Sequence, residues 1–184
     1  MKKIIIIVVV VLAILAIYAV GTYNSLVTLN VGADTQWKQV ETQYQRRFDL
    51  IPNLVESVKG IMKQEQEVFS AIADARTRYS GATNANEKAV AAGQVESALG
   101  RLLVITENYP QLKSSETVQS LMSQLEGTEN RVSVERSRFN KDIEAYNLKV
   151  KRFPSSVVAS IFGFSDRAYF EAVKGVEKAP EVKF

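Results

Sequence analysis

The sequence predicts an all-α protein: an antiparallel up-down four-helix bundle with long coiled-coil-like helices, preceded by one N-terminal transmembrane helix. Three observations carry this reading. An uncharged apolar run, Ile4 to Val20, opens the chain. Beyond it, apolar residues recur at alternating steps of three and four, an average period of 3.5 that winds a gently left-handed seam. The 184 residues also hold only 4 prolines and 9 glycines, with no sustained alternating pattern of the kind a strand needs. Four such helices joined by short turns pack at about 20° to one another.

The apolar run comes first. Seventeen helical residues rise about 26 Å, and adding Gly21, Thr22 and Tyr23 brings the helix to about 30 Å, the thickness of a hydrocarbon core. Tyr18 and Tyr23 suit the membrane interface. Ala19-Val20-Gly21 offers a weak signal-peptidase match, but the stretch exceeds a usual signal core and the helical period continues through it, so a retained anchor is expected. Lys2 and Lys3 precede the span and only Lys38 follows it closely. The positive-inside rule then places a single-pass chain in the cytoplasmic (inner) membrane, with the N-terminus cytoplasmic and the bundle periplasmic or extracellular.

The first bundle helix carries a stripe at Tyr23, Val27, Asn30, Asp34, Trp37, Glu41, Tyr44, Phe48 and Ile51, and is expected to stop at Pro52. The second, from about Pro52 to Tyr79, is striped by Leu54, Val58, Ile61, Glu65, Val68, Ile72, Ala75 and Tyr79. Residues 80–86 read as a turn. The third covers about Glu87 to Asn108, through Ala91, Val95, Ala98, Leu102, Ile105 and Tyr109, and Pro110 ends it. The fourth, about Ser115 to Arg152, is striped by Val118, Leu121, Leu125, Val132, Phe139, Ile143, Tyr146, Val150 and Phe153. Counting directions from the anchor puts the turn near Gly81 and the helix end near Phe153 close to the bilayer. The domains are thus an anchor (1–22), a bundle with a short C-terminal apolar segment (23–170) and a flexible tail (171–184).

Composition excludes much chemistry. Without cysteine there is no disulfide, thiol nucleophile or iron–sulfur site. Without histidine there is no Ser-His-Asp triad, no histidine metal site and no Glu-x-x-His pair for a di-iron bundle. The net charge is +3 and the pI about 9.0. Setting Lys2 and Lys3 aside leaves 21 Lys and Arg against 20 Asp and Glu, a poor balance for binding nucleic acid by counterion release. No catalytic, cofactor-binding or metal residues are assigned.

Several charges sit on the apolar stripes: Asp34, Glu41, Glu65, Glu129 and Arg136, with Arg46, Arg47 and Asp49 near the first turn. Ion pairs between helices are the expected use of Glu65, Glu129, Arg136 and Arg47, with Glu65 as the partner of Arg136. An unpaired buried charge costs far more than a paired one. The alternative is that some face a neighbouring subunit. Trp37, the only tryptophan, reads as core rather than as an interface anchor. Gly93 and Gly100, seven apart, suit a close helix approach. Val157 to Phe164 is an apolar segment preceded by Lys149, Lys151 and Arg152. Phe162 and Phe164 either cap the bundle core, meet the membrane or meet a subunit.

The strings Tyr23-Asn24-Ser25-Leu26-Val27, Trp37 and RRFDLIPNLVESVKG (Arg46 to Gly60) resemble the signature of the LemA family. So do ENYPQL (Glu107 to Leu112), TEN (Thr128 to Asn130), RFN (Arg138 to Asn140), Tyr146-Asn147, Phe153-Pro154 and Gly163-Phe164. Gln64 stands before Glu65 where the family pattern has histidine. The resemblance implies a bacterial membrane-anchored four-helix bundle with no established enzyme activity, whose relatives are associated with membrane proteases or organelle membranes. The expected function is a non-enzymatic membrane-anchored helical scaffold that self-associates and organises or remodels membrane or membrane proteins, with a lipid bilayer, copies of itself and other membrane proteins as partners. The alternative is an adaptor docking a membrane enzyme such as a protease. No cofactor is expected.

Overall fold

A computed structural model describes residues 1–170, which form six helices: α1 (Lys2–Lys59), α2 (Gln66–Gly81), α3 (Ala85–Thr106), α4 (Pro110–Lys113), α5 (Glu116–Lys151) and α6 (Ser155–Ile161). The all-helical class is what the sequence predicts, and there is no strand among the described residues. The expected tail, 171–184, lies outside the described residues.

The largest departure is at Pro52, which lies inside α1 rather than ending it. A proline there forfeits one backbone hydrogen bond and clashes with the preceding turn, about 3 kcal/mol. Phe48, Ile51 and Leu54 are all buried around it, and each buried apolar side chain of that size contributes about 1.5–3 kcal/mol. Their combined burial outweighs the proline. The helix breaks instead at Gly60, where Ile61 and Met62 both donate to the Val58 carbonyl at 3.0 and 2.9 Å. Met62 is buried in this turn while Ile61 is exposed. As a result α2 has 16 residues.

The described residues fall into two compact units, to both of which α1 and α5 contribute. One comprises Met1–Lys38 and Ser137–Tyr169. Its core holds Leu26, Tyr146 and Ala159, with Leu29, Val150 and Phe164 packed against them. Trp37 is buried against Phe139, ring centroids 5.3 Å apart. Before this core, residues 1–18 of α1 are exposed throughout.

The other unit comprises Gln39–Arg136, with Phe170. Val40, Tyr44, Phe48, Ile51, Leu54 and Val58 of α1 are buried here, as are Val68, Ile72, Ala75 and Tyr79 of α2. Ala91, Val95, Ala98 and Leu102 of α3 and Val118, Leu121, Leu125 and Val132 of α5 complete the core. The α2–α3 turn is closed by reciprocal capping: Asn84 Oδ1 accepts from the Glu87 amide at 2.9 Å, and Glu87 Oε2 accepts from the Thr83 amide at 2.9 Å. That amide is the main cause holding the Glu87 carboxyl below its usual range. Tyr79, just before the turn, meets the Phe48 ring edge-on, centroids 4.5 Å apart.

The buried face of α1 is offset by about one residue from the predicted stripe. Thr22, Leu26, Ala33, Trp37 and Val40 point inward, while Tyr23, Asp34, Asn30 and Glu41 stand beside that face, exposed or half-buried. Phe153 is 83% exposed rather than on the core stripe. Gly100 makes no close approach: a Cβ there would meet nothing within 4 Å.

Candidate functional site

Two polar constellations are built by the fold, one in each unit. In the unit of Gln39–Arg136, the hub is Glu96 on α3, a residue the stripe reading passes over. Its Oε1 accepts from Arg136 Nη2 at 2.5 Å and lies 3.5 Å from Arg47 Nη1. Arg47 Nη2 meets Glu129 Oε2 at 3.1 Å. The Arg47 side chain is only 5% exposed and its Nε is buried with no hydrogen-bond partner, whereas Glu129 is 60% exposed. Arg136 also donates through Nε to the Tyr44 hydroxyl at 2.8 Å, and its guanidinium lies over the Tyr44 and Phe170 rings, 5.2 and 4.6 Å from their centroids.

Arg136 therefore pairs with Glu96 and Tyr44, not with Glu65. Glu65 falls in the turn before α2 and accepts from the Tyr109 hydroxyl at 3.3 Å. Glu41 is likewise engaged, by Lys88 of α3. Burial pushes the Tyr44 phenol up to about 12 against the opposing pull of Arg136. Burial also works to lower the Arg136 pKa, but Tyr44 and Glu96 outweigh it and the guanidinium is held further toward its charged form. A phenol kept neutral and a guanidinium kept charged make a fixed polar lock rather than a proton-transfer pair, since general acid–base groups need a pKa near the working pH. An open groove of about 440 Å³ beside the lock is lined by Arg47, Glu129, Leu99, Leu103 and Met122 among others.

The second constellation is in the unit of Met1–Lys38 and Ser137–Tyr169. Here α6 ends at Gly163, whose φ of +74° is the left-handed conformation that favours glycine. The Phe164 amide bonds back to the Ala159 carbonyl at 2.9 Å and that of Gly163 to Ser160 at 3.3 Å, closing the helix in a Schellman motif. The chain after it is strapped to α1 and α5. Asn147 and the Arg167 backbone exchange two hydrogen bonds of 2.8 Å, and the Tyr146 hydroxyl donates to the Ser165 carbonyl at 3.0 Å. The Arg167 guanidinium reaches Asn30 Oδ1 at 2.8 Å and Asp34 at 2.7 Å. Lys151 meets Asp166 at 3.0 Å, and chiefly this bond holds the Asp166 carboxyl below its usual range.

Within this strap the aromatic residues divide. Phe164, half-buried, packs against the Leu26 and Tyr146 core. Phe162 is 54% exposed and its ring lies 5.0 Å from that of Tyr23, with the Phe164 ring 5.6 Å from it. Lys2, Lys3, Tyr18 and Tyr23 are all exposed. Of the strap residues, Asn30 lies on the predicted stripe and Asn147 in a string shared with the family, whereas Ser165 and Arg167 carry no such signal.

A second helix, α3, is also apolar and long enough to cross a membrane, but half of its most apolar stretch is buried, and Lys88 and Glu96 commit it to the unit of Gln39–Arg136. The exposed apolar helix is the start of α1.

The sequence pattern of the LemA family matches residues 36–184. The Magnetosome protein MamQ of Magnetospirillum gryphiswaldense is 28% identical over 174 residues, 80% of this chain and 64% of that protein. Magnetosome proteins MamQ 1 and MamQ 2 of Paramagnetospirillum magneticum are each 26% identical over 175 residues, 81% of this chain and 64% of theirs. The chain thus spans just under two thirds of the length of these relatives.

Proposed function

The chain belongs to the LemA family, and we propose that this member is a non-enzymatic, membrane-anchored helical scaffold that self-associates and organises membrane or membrane proteins. The observation that carries the reading is the division of labour along α1. Its first turns are apolar and exposed, as a lipid-facing helix must be, while Arg47, the buried charge further along it, is engaged by Glu96 of α3 and Glu129 of α5. Polar groups so engaged hold helices in register. We read α1, α2, α3 and α5 as an antiparallel up-down bundle, with the N-terminus cytoplasmic and the bundle on the far side of the inner membrane. The name of the MamQ relatives ties them to the magnetosome; for this chain the class of partner is a lipid bilayer, copies of itself and other membrane proteins.

Self-association is tested by sedimentation of the full chain in mild detergent. A single homogeneous species of several chains is expected, consistent with the closed symmetry usual for homo-oligomers. A monomer at every concentration refutes the scaffold and favours the adaptor docking a membrane enzyme. Orientation is tested separately with Ser80→Cys, in a chain that has no native cysteine. Ser80 is exposed and spares Asn84, which caps α3. A membrane-impermeant thiol reagent is expected to label it in intact cells once any outer envelope is permeabilised. Complete protection there, with labelling after the inner membrane is opened, reverses the orientation.

A further inference from the structure

We propose that the outer face of α6, together with Phe153, is a second membrane foot that seats in the headgroup layer of the bilayer crossed by the N-terminal span. The face is apolar and unpartnered by design of the sequence. Phe153 lies just ahead of α6, and Val157 and Ile161, four apart, share one side of it. They are 83%, 50% and 72% exposed, and Phe162 beside them is 54% exposed. The opposite side of the same helix, Ser155, Val158 and Ala159, is buried against the core of Leu26 and Tyr146. The inner side therefore fixes the helix, and the outer side is left to something else.

Position selects the occupant. Tyr23 touches both Phe162 and Phe164, and it lies three residues beyond Val20, the last residue of the uncharged run. Three residues of helix rise about 4.5 Å. If the run occupies the hydrocarbon core, Phe162 is held within one ring contact of the level where that core ends. Aromatic residues at that level, beside a basic flank, are the composition of an interfacial segment. Lys149, Lys151 and Arg152 supply the flank, with Asp166 the carboxylate facing Lys151. The strap then acquires a purpose. By tying residues 163–167 to Asn30, Asp34, Tyr146 and Asn147, it keeps α6 from swinging away from the foot of the span. Two contacts with one bilayer, span and foot, restrict the tilt of α1 in a way that a lone helix does not.

The inference rests on the reading that Ile4 to Val20 spans the bilayer, and the experiment separates the two. Full-length chains carrying Ile161→Cys or Leu12→Cys are labelled with an environment-sensitive fluorophore and reconstituted in phosphatidylcholine–phosphatidylglycerol vesicles. Each is then quenched with lipids bearing a nitroxide either at the headgroup or deep in the acyl chain. The Ile161 label is expected to lose more emission to the headgroup quencher than to the deep one, and the Leu12 label the reverse. An Ile161 label that neither quencher dims, beside a Leu12 label that the deep quencher does, overturns the foot and leaves the span standing. A Leu12 label untouched by both overturns the span and the foot with it. An Ile161 label shielded from lipid but cross-linked chain to chain shows a second copy on this face, and also overturns the proposal.

Discussion

Replacing Glu96 with alanine is expected to destabilise the protein by about 3–5 kcal/mol, the cost of leaving a buried charge without its partner. Glu96 is the carboxylate shared by Arg47 and Arg136. Without it, Arg47, whose side chain is 5% exposed, keeps only Glu129, which is 60% exposed and partly satisfied by water. Arg136 keeps the Tyr44 hydroxyl, a neutral acceptor and a weaker one than a carboxylate. The two guanidinium groups then repel across the space Glu96 filled. For a chain of this size each kcal/mol moves the melting temperature by about 2–4 °C, so the helical signal should melt roughly 6–20 °C lower. Glu96→Gln retains an acceptor but no charge and should fall in between. Arg47→Met should cost least, because Glu96 keeps Arg136 and methionine fills the volume with an apolar chain. The full chain in detergent micelles, followed by circular dichroism, checks the order. Equal melting of Glu96→Ala and the parent chain would mean that Glu96 is solvated and the lock does not form.

That Glu96 must be found in the structure while Arg47, Glu129 and Arg136 can be found in the sequence has a physical cause. A charge on an apolar stripe announces itself against its neighbours. Glu96 follows Val95 directly, one step off the stripe, and reads as an ordinary solvated residue. Pairing across helices is harder still, because it depends on axial height, and height depends on where each helix breaks. Moving the first break from Pro52 to Gly60 shifts it by eight residues, or about 12 Å of helix. Glu65 then falls in the turn before α2 rather than midway along a helix, and it meets Tyr109 instead of Arg136. Local rules favour a break at proline; the burial of Phe48, Ile51 and Leu54 decides otherwise.

The offset on α1 has a related origin. A stripe through Tyr23, Asn30, Asp34 and Glu41 and one through Thr22, Leu26, Ala33 and Val40 both follow steps of three and four. Small residues such as Thr22 and Ala33 give little hydrophobic signal to choose between them. The polar set is drawn to one side of the core by partners distant in sequence, Arg167 for Asn30 and Asp34 and Lys88 for Glu41. From Trp37 onward the large side chains are unambiguous, and Trp37, Tyr44, Phe48 and Ile51 are buried where the period puts them.

Trp37 also supplies a direct readout of the unit that bears the anchor. Phe139→Ala is expected to shift Trp37 emission to longer wavelength and to cost about 3–5 kcal/mol, the range for removing a buried phenyl ring. The two rings lie 5.3 Å apart at 59°, both side chains are buried, and Trp37 is the only tryptophan in the chain. A tilted pair of this kind contributes about 0.5–1.5 kcal/mol beyond its buried area. The remainder is the lost transfer of the ring from water and the cavity left where it was. Phe139 stands on α5 and Trp37 on α1, so neither helix can close that cavity without moving its own backbone. Water reaching the indole lowers the energy of its polar excited state, which is the origin of the red shift. Phe139→Leu keeps most of the volume and should cost less than about 1.5 kcal/mol, with emission close to that of the parent. Steady-state fluorescence and thermal melting of both variants in detergent decide the matter. Unchanged emission and unchanged melting in Phe139→Ala would show that the indole is buried by other groups and that this ring does not hold α1 to α5.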